Sequence, residues 1–205
     1  IPERERWPCV AKIKILPIDA LTIVDMQNDF MPGGALPVPN ALTIIPAINR
    51  YIEVFKRAKA VIVATRDWHP PNHISFNTRG GPWPPHCIQN TWGAQFHPDI
   101  GLPRDSIVIS KAFREDREAY SGFKETELDE ILKSRGVKRL FIAGVATEYC
   151  VKATAEDGVR LGYQVFLLSD AIKGIDRPEG SEAKAIEELL DKGVVVISIE
   201  DIYTK

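Results

Sequence analysis

The chain has 205 residues, 44% hydrophobic and 26% charged, with a formal net charge of -2. That length can bury one sizeable core, and the near balance of charge gives no bulk attraction to nucleic acid or to an anionic membrane surface, so the expected partner is a small molecule. No stretch is apolar for long enough to span a bilayer or act as a secretory signal, and three scattered cysteines without a CxxC pair exclude a disulfide framework and a zinc knuckle.

A reducing, cytoplasmic setting fits that cysteine usage, and a homo-oligomer is left open. Residues 1–17 (IPERERWPCVAKIKILP) are charged and broken by prolines, so an irregular leader is expected through residue 19. The opening on Ile1 rather than Met points to further residues upstream. Residues 20–24 (ALTIV) then form a nearly all-apolar run ending on Asp25, as expected of a strand buried on both faces of a parallel sheet. Residues 31–40, with two glycines and three prolines, must be a loop. Helical spacing of Leu42, Ile45, Ile48, Ile52 and Phe55 predicts a helix over residues 41–59, and residues 60–65 predict a second strand.

The same alternation continues with strands at 106–110, 140–145, 164–169 and 194–199 and helices near 124–134, after Cys150 and at 182–191. Six strands with helices between them predict a doubly wound α/β fold in one domain over 1–205, a three-layer α/β/α arrangement around a six-stranded parallel sheet. Residues 66–103 stand out as a long connection with seven prolines and all four histidines. Connections of that length in a compact domain are usually functional.

Ligands of open α/β sheets lie outside the carboxyl ends of the strands. There the first four strands deliver Asp25, Asp67, Lys111 and, through a turn, Cys150. Each alone could be a cap, a solvated charge or a small buried hydrophobe; four on one edge point to an active site. At the Cys150 turn the pattern switches to helical spacing, and free N–H groups together with the helix dipole favour a thiolate. In the long loop, Asp67 and His69 are separated by one residue and can face the same way, and carboxylate with imidazole suits Zn²⁺, Fe²⁺ or Mn²⁺. His73 could be a ligand, a ligand's partner or a loop stabiliser. Phe30, Trp83 and Tyr120 fall over the same edge and offer flat walls to a planar substrate, while Trp68 and Trp92 read as loop anchors.

These stretches resemble the isochorismatase-like cysteine hydrolases. The resemblance is carried by VDMQNDFMPGGALPV (24–38), TRDWHPPNHISF (65–76), GGPWPPHC (80–87), SKAF (110–113), YSGF (120–123) and GVATEYCV (144–151). It runs in family order over all but the leader. It implies Asp25, Lys111 and Cys150 as a catalytic triad. Asp67, His69 and His86 would hold one divalent metal ion, Zn²⁺ first with Fe²⁺ or Mn²⁺ as alternatives. Phe30, Trp83 and Tyr120 would line a pyridine pocket. A cis peptide between Val145 and Ala146 is also implied, aiming the Ala146 N–H, with that of Cys150, into an oxyanion hole. The activity implied is hydrolysis of nicotinamide to nicotinate and ammonia through a cysteine thioester. The alternative within the family is an amidase of ureido or carbamoyl substrates. Two stretches depart from the pattern: the leader, and the charged run Arg114, Glu115, Asp116, Arg117 and Glu118 after Lys111. A receiver module would have no use for the thiol or the histidines, and no GxGxxG turn follows the first strand to support a dinucleotide site.

Overall fold

The computed structural model describes residues 11–204, so Cys9 and most of the predicted leader lie outside the described residues. Six strands, β1 (Asp19–Val24), β2 (Val61–Asp67), β3 (Ile107–Lys111), β4 (Arg139–Val145), β5 (Gln164–Lys173) and β6 (Val195–Ile197), form one sheet in the order β3-β2-β1-β4-β5-β6. Every pairing is parallel. The four α-helices are α1 (Ile45–Arg57), α2 (Leu128–Ser134), α3 (Lys152–Arg160) and α4 (Ser181–Asp191).

The layers follow from alternation along the strands. Leu21, Ile23, Phe141, Ala143, Phe166 and Leu168 face one core with Ile45, Ile48, Ile52 and Phe55 of α1. Ala20, Val24, Leu140, Ile142, Val165 and Leu167 face the other, with Leu128 and Leu132 of α2, Val151 and Ala155 at α3, and Ile186 and Leu189 of α4. At roughly 1.5–3 kcal/mol for each fully buried aliphatic or aromatic side chain, the apolar stripe of α1 alone contributes on the order of 8 kcal/mol before conformational entropy is set against it. Asp19 anchors the start of β1: it is fully buried, and Arg139 grips both its oxygens at 2.6 Å.

Element boundaries shift in ways that matter for the site. β2 and β3 run to Asp67 and Lys111, so these are the last residues of their strands and not the first of the loops. The helix predicted over 41–59 starts as a 3-10 turn, Ala41–Ile44, before α1. β5 runs on to Lys173, past a register irregularity opposite Ile142 and Gly144. Lastly, α3 is preceded by a π-helical turn, Thr147–Val151, which contains Cys150. Among the described residues no helix is long and apolar enough to cross a membrane.

Candidate active site

The strand order reverses between β1 and β4, and the ionisable groups collect outside the carboxyl ends at that switch point. Register explains why they meet. Asp67 and Lys111 are direct partners across β2 and β3, Val24 pairs with Thr65 on one side and Gly144 on the other, and Asp25 follows at once. Gly144 has φ +113°, and a Cβ there would run into the Val24 backbone, so only glycine lets β4 close against β1 and bring the Cys150 turn over Asp25. Asp25 itself has φ +50°, a conformation a non-glycine residue keeps when its surroundings hold it there.

Lys111 is fully buried at the centre of this cluster. Its Nζ lies 2.9 Å from Asp25 Oδ2, 2.5 Å from Asp67 Oδ1 and 3.3 Å from Cys150 Sγ. Asp25 Oδ1 accepts the Thr65 hydroxyl at 2.8 Å, while Oδ2 faces the Lys111 ammonium. Burial pushes the Asp25 carboxyl up, Lys111 pulls it down and Asp67 raises it again, leaving it at about 6. Burial also works against ionisation of Asp67, but Lys111 and the neighbouring histidines outweigh it and hold that carboxyl below its ordinary value. Two carboxylates driven apart in this way take different roles. Burial pushes the Cys150 thiol well up; Lys111 opposes this and Asp25 and Asp67 add to it. The thiolate expected from a helix N-terminus is therefore not the resting form, because desolvation dominates inside the buried π turn.

The second cluster adjoins the first through Asp67. His69 Nδ1 faces the His86 carbonyl at 2.9 Å and His86 Nδ1 faces the Pro84 carbonyl at 2.7 Å. A carbonyl only accepts, so both Nδ1 atoms carry the proton and both Nε2 atoms present lone pairs. Burial pushes His69 down to about 4, keeping its ring neutral. His86 Nε2 lies 3.9 Å from Asp67 Oδ2, and the ligand atoms of Asp67, His69 and His86 fall within 4.8 Å of one another, all buried. A buried carboxylate and two buried imidazoles whose tautomers are fixed by carbonyls converge as a divalent metal ion requires.

His73 is committed elsewhere. Its Nε2 donates to the Arg117 carbonyl at 2.9 Å and its Nδ1 accepts the Ser75 hydroxyl at 2.7 Å. Both ring nitrogens are thus engaged within the loop, and the ring lies tilted at 40° to that of His69 with 4.4 Å between centroids. The charged run after Lys111 is tied down by the same segment: the Ile74 N–H donates to the Glu115 carbonyl at 2.8 Å, and Asn72 and Arg79 reach the Glu115 carboxylate at 3.0 and 3.2 Å. His97 Nδ1 accepts the Asp99 N–H at 3.2 Å, and His97 is not among the converging ligand groups of the described residues. Trp68 stacks against the Arg66 guanidinium at 3.8 Å, whereas Trp92, expected to anchor the loop, leaves 60% of its surface exposed.

Over both clusters opens a recess of about 400 Å³, counting the space at its mouth, lined by Phe30, Trp83, Tyr120, Ala146, Cys150 and the three metal-ligand candidates, among others. Trp83 Nε1 donates to the Tyr120 hydroxyl at 3.0 Å, joining two walls. Tyr149, whose ring meets Trp83 edge-on at 5.0 Å, is a third wall that sequence reading missed, although it directly precedes Cys150. Glu118, the last residue of the charged run after Lys111, also lines the recess, as does Ile175, which nothing in the chain singled out. The Val145–Ala146 peptide is cis, and among the described residues the Ala146 N–H has no hydrogen-bond acceptor.

A buried thiol, a carboxylate and an ammonium at the floor of an aromatic recess make up the equipment of a thiol-dependent amide hydrolase. The isochorismatase domain model matches residues 19–201, and the chain belongs to that family. A nicotinamidase of Acinetobacter baylyi is 41% identical, covering 89% of this chain and 94% of its own. Among solved structures, a Pyrococcus horikoshii pyrazinamidase in complex with zinc superposes with a TM-score of 0.86 at 57% identity, covering 89% of this chain and all of that one. A protein of L. infantum in complex with nicotinate has a TM-score of 0.85 at 36% identity over 97% of this chain and all of that one. Ureidoacrylate amidohydrolase of Caulobacter vibrioides is more distant, at 28% identity over 78% of this chain and 81% of its own.

Proposed function

We propose that the protein is a nicotinamidase, hydrolysing nicotinamide to nicotinate and ammonia, with residues 1–205 acting as one catalytic domain. The observation that carries this reading is the placement of Cys150, Lys111 and Asp25 against a flat-walled recess that also holds the Asp67, His69 and His86 donors. Nicotinamidases among the relatives, and nicotinate in one structural neighbour, support the same substrate.

In this mechanism the pyridine ring lies between Phe30, Trp83 and Tyr120 with its carboxamide carbon toward Cys150. Asp25 takes the thiol proton on Oδ2 as Sγ bonds to that carbon, and the carbonyl electrons move onto oxygen. The Ala146 and Cys150 N–H groups hold the oxyanion. Collapse breaks the C–N bond, Asp25 returns the proton to the departing ammonia, and a thioester remains. Asp25 then takes a proton from water as the water oxygen bonds to the thioester carbon; the C–S bond breaks with its electrons on sulfur, Asp25 returns that proton to Sγ, and the product gives up its carboxyl proton to solvent and leaves as nicotinate. Lys111 keeps Asp25 and the sulfur in place and offsets the charge that builds on sulfur. Asp67, His69 and His86 would hold one divalent ion, Zn²⁺ by the example of the Pyrococcus neighbour, which would supply Lewis-acid chemistry, directly or through a water, on the side of the recess that takes the pyridine nitrogen.

Nicotinamide and nicotinate are the pieces from which NAD is rebuilt, so the reading puts the enzyme in NAD salvage. Cys87 and Cys150 are both free thiols, which supports a reducing compartment such as the cytoplasm. The test is ammonia release from nicotinamide by purified protein, with Cys150→Ala as control. Turnover in the wild type and none in a folded Cys150→Ala variant is expected; substantial turnover by that variant would remove the thiol from the mechanism. Faster turnover of a ureido or carbamoyl substrate would favour the alternative.

A further inference from the structure

Two buried polar side chains just beyond β1 take no part in the chemistry above and do not line the recess. Gln27 is fully buried, and its amide grips both main-chain groups of Asp67: Nε2 donates to the Asp67 carbonyl at 2.8 Å, and Oε1 accepts the Asp67 N–H at 2.8 Å. Its second Nε2 proton goes to the Ala94 carbonyl at 3.0 Å. Asp29, two residues on, accepts the Cys87 N–H on Oδ2 at 2.7 Å and the Ala35 N–H on Oδ1 at 3.0 Å. Cys87 follows His86 directly and has φ +46°, so the Asp29 bond holds the chain beside His86 in a sparsely populated conformation. Gly93 is packed so closely over the Asp29 carboxylate that a Cβ there would displace it.

Asp67 ends a strand and His86 sits 19 residues later in a proline-rich loop. The main chain joins the two segments beside the ligands, the His69 N–H donating to the Cys87 carbonyl at 3.0 Å and the Gln89 N–H to the His69 carbonyl at 2.9 Å, and one short stretch adds side-chain bonds to each segment. We propose that Gln27 and Asp29 are positioning residues for the metal cluster, Gln27 setting the backbone of Asp67 and Asp29 that of the residue after His86. This rests on the metal reading above. A glutamine suits the first position because its amide carries a donor and an acceptor together, matching the N–H and C=O of one residue, whereas a glutamate has no proton to give.

The experiment measures the affinity of the full-length, chelator-stripped protein for Zn²⁺ alone, by competition with a chromophoric chelator, alongside the thermal midpoint. Gln27→Leu, Gln27→Glu and Gly93→Ala are compared with wild type and with Tyr51→Phe, which removes a part-buried hydrogen bond between α1 and Asp170 of β5, outside the cluster. Loss of groups that support metal ligands typically weakens affinity 10–100-fold. That loss is expected for Gln27→Leu, Gln27→Glu and Gly93→Ala, with Tyr51→Phe within twofold of wild type. Should Gln27→Leu fail to fold, Gln27→Glu and Gly93→Ala carry the test. Affinities within twofold of wild type in the folded variants, or an equal loss in Tyr51→Phe, overturn the proposal. A wild type that binds no Zn²⁺ removes the metal reading itself, and the proposal with it.

Discussion

Asp25 and Asp67 share one ammonium, and their surroundings drive their proton affinities apart. Asp25 has to be ionised to take the thiol proton, and its pKa stands at about 6, above the ordinary 3.8. As pH falls through 6 the carboxylate fills with protons, so kcat/KM should fall toward about a tenth of its plateau by pH 5. A profile that stays flat down to pH 4.5 would exclude Asp25 as the base. Lys111 carries a heavier structural load, since it lies between two buried carboxylates and the thiol. Lys111→Met leaves both carboxylates facing each other without a cation. Breaking a buried pair by removing one partner typically costs about 3–5 kcal/mol, and at 2–4 °C per kcal/mol for a domain of this size the melting temperature should drop by roughly 10 °C. A melting curve within 2 °C of wild type would contradict this.

At the scale of elements, what matters is how closely β4 can lie on β1. Gly144 pairs with Val24 one residue before Asp25 and six before Cys150, and it takes a positive φ where a Cβ would meet backbone that cannot move aside. Gly144→Ala should therefore cost more than the usual surface substitution, about 2 kcal/mol or more, and should lower kcat by pulling the Cys150 turn off Asp25. Denaturant unfolding and steady-state kinetics on the same preparation check both halves; unchanged kcat in a destabilised variant would separate fold from alignment. Most of this was legible in the chain. Buried parallel strands are nearly pure apolar runs, and an ionisable residue follows closely on each of the first three and one turn beyond the fourth, so Asp25, Asp67, Lys111 and Cys150 could be placed on one edge before any contact was known. Illegible were features that depend on what packs from far along the chain: the extra strand residues at Asp67 and Lys111, the π turn, the commitment of His73 to Arg117 and Ser75, and burial deep enough to keep Cys150 protonated. Periodicity reports faces, and it says nothing about the depth of solvent exclusion or about which loop atoms answer a given imidazole.

Over the whole molecule, the two clusters are one structure joined at Asp67. Its one oxygen meets Lys111 beneath the recess and the other faces His86 at its wall, so a metal ion there would tie the end of β2 to the proline-rich loop and, through Lys111, to β1 and β4. An ion that binds the folded chain and not the unfolded one stabilises it by mass action, by about 2.7 kcal/mol at a free concentration of 100 times Kd. For a domain of about 200 residues that corresponds to a rise of roughly 5–10 °C in the melting temperature. The rise should require the folded geometry of all three donors, since isolated imidazoles and carboxylates in an unfolded chain bind far more weakly. His86→Ala should thus abolish the Zn²⁺-dependent part of the shift, whereas His73→Asn should keep it, both nitrogens of His73 being used within the loop. Thermal scans of the chelator-stripped protein with and without Zn²⁺ decide the matter: an equal shift in His86→Ala would place the ion elsewhere, and its loss in His73→Asn would make that histidine a ligand.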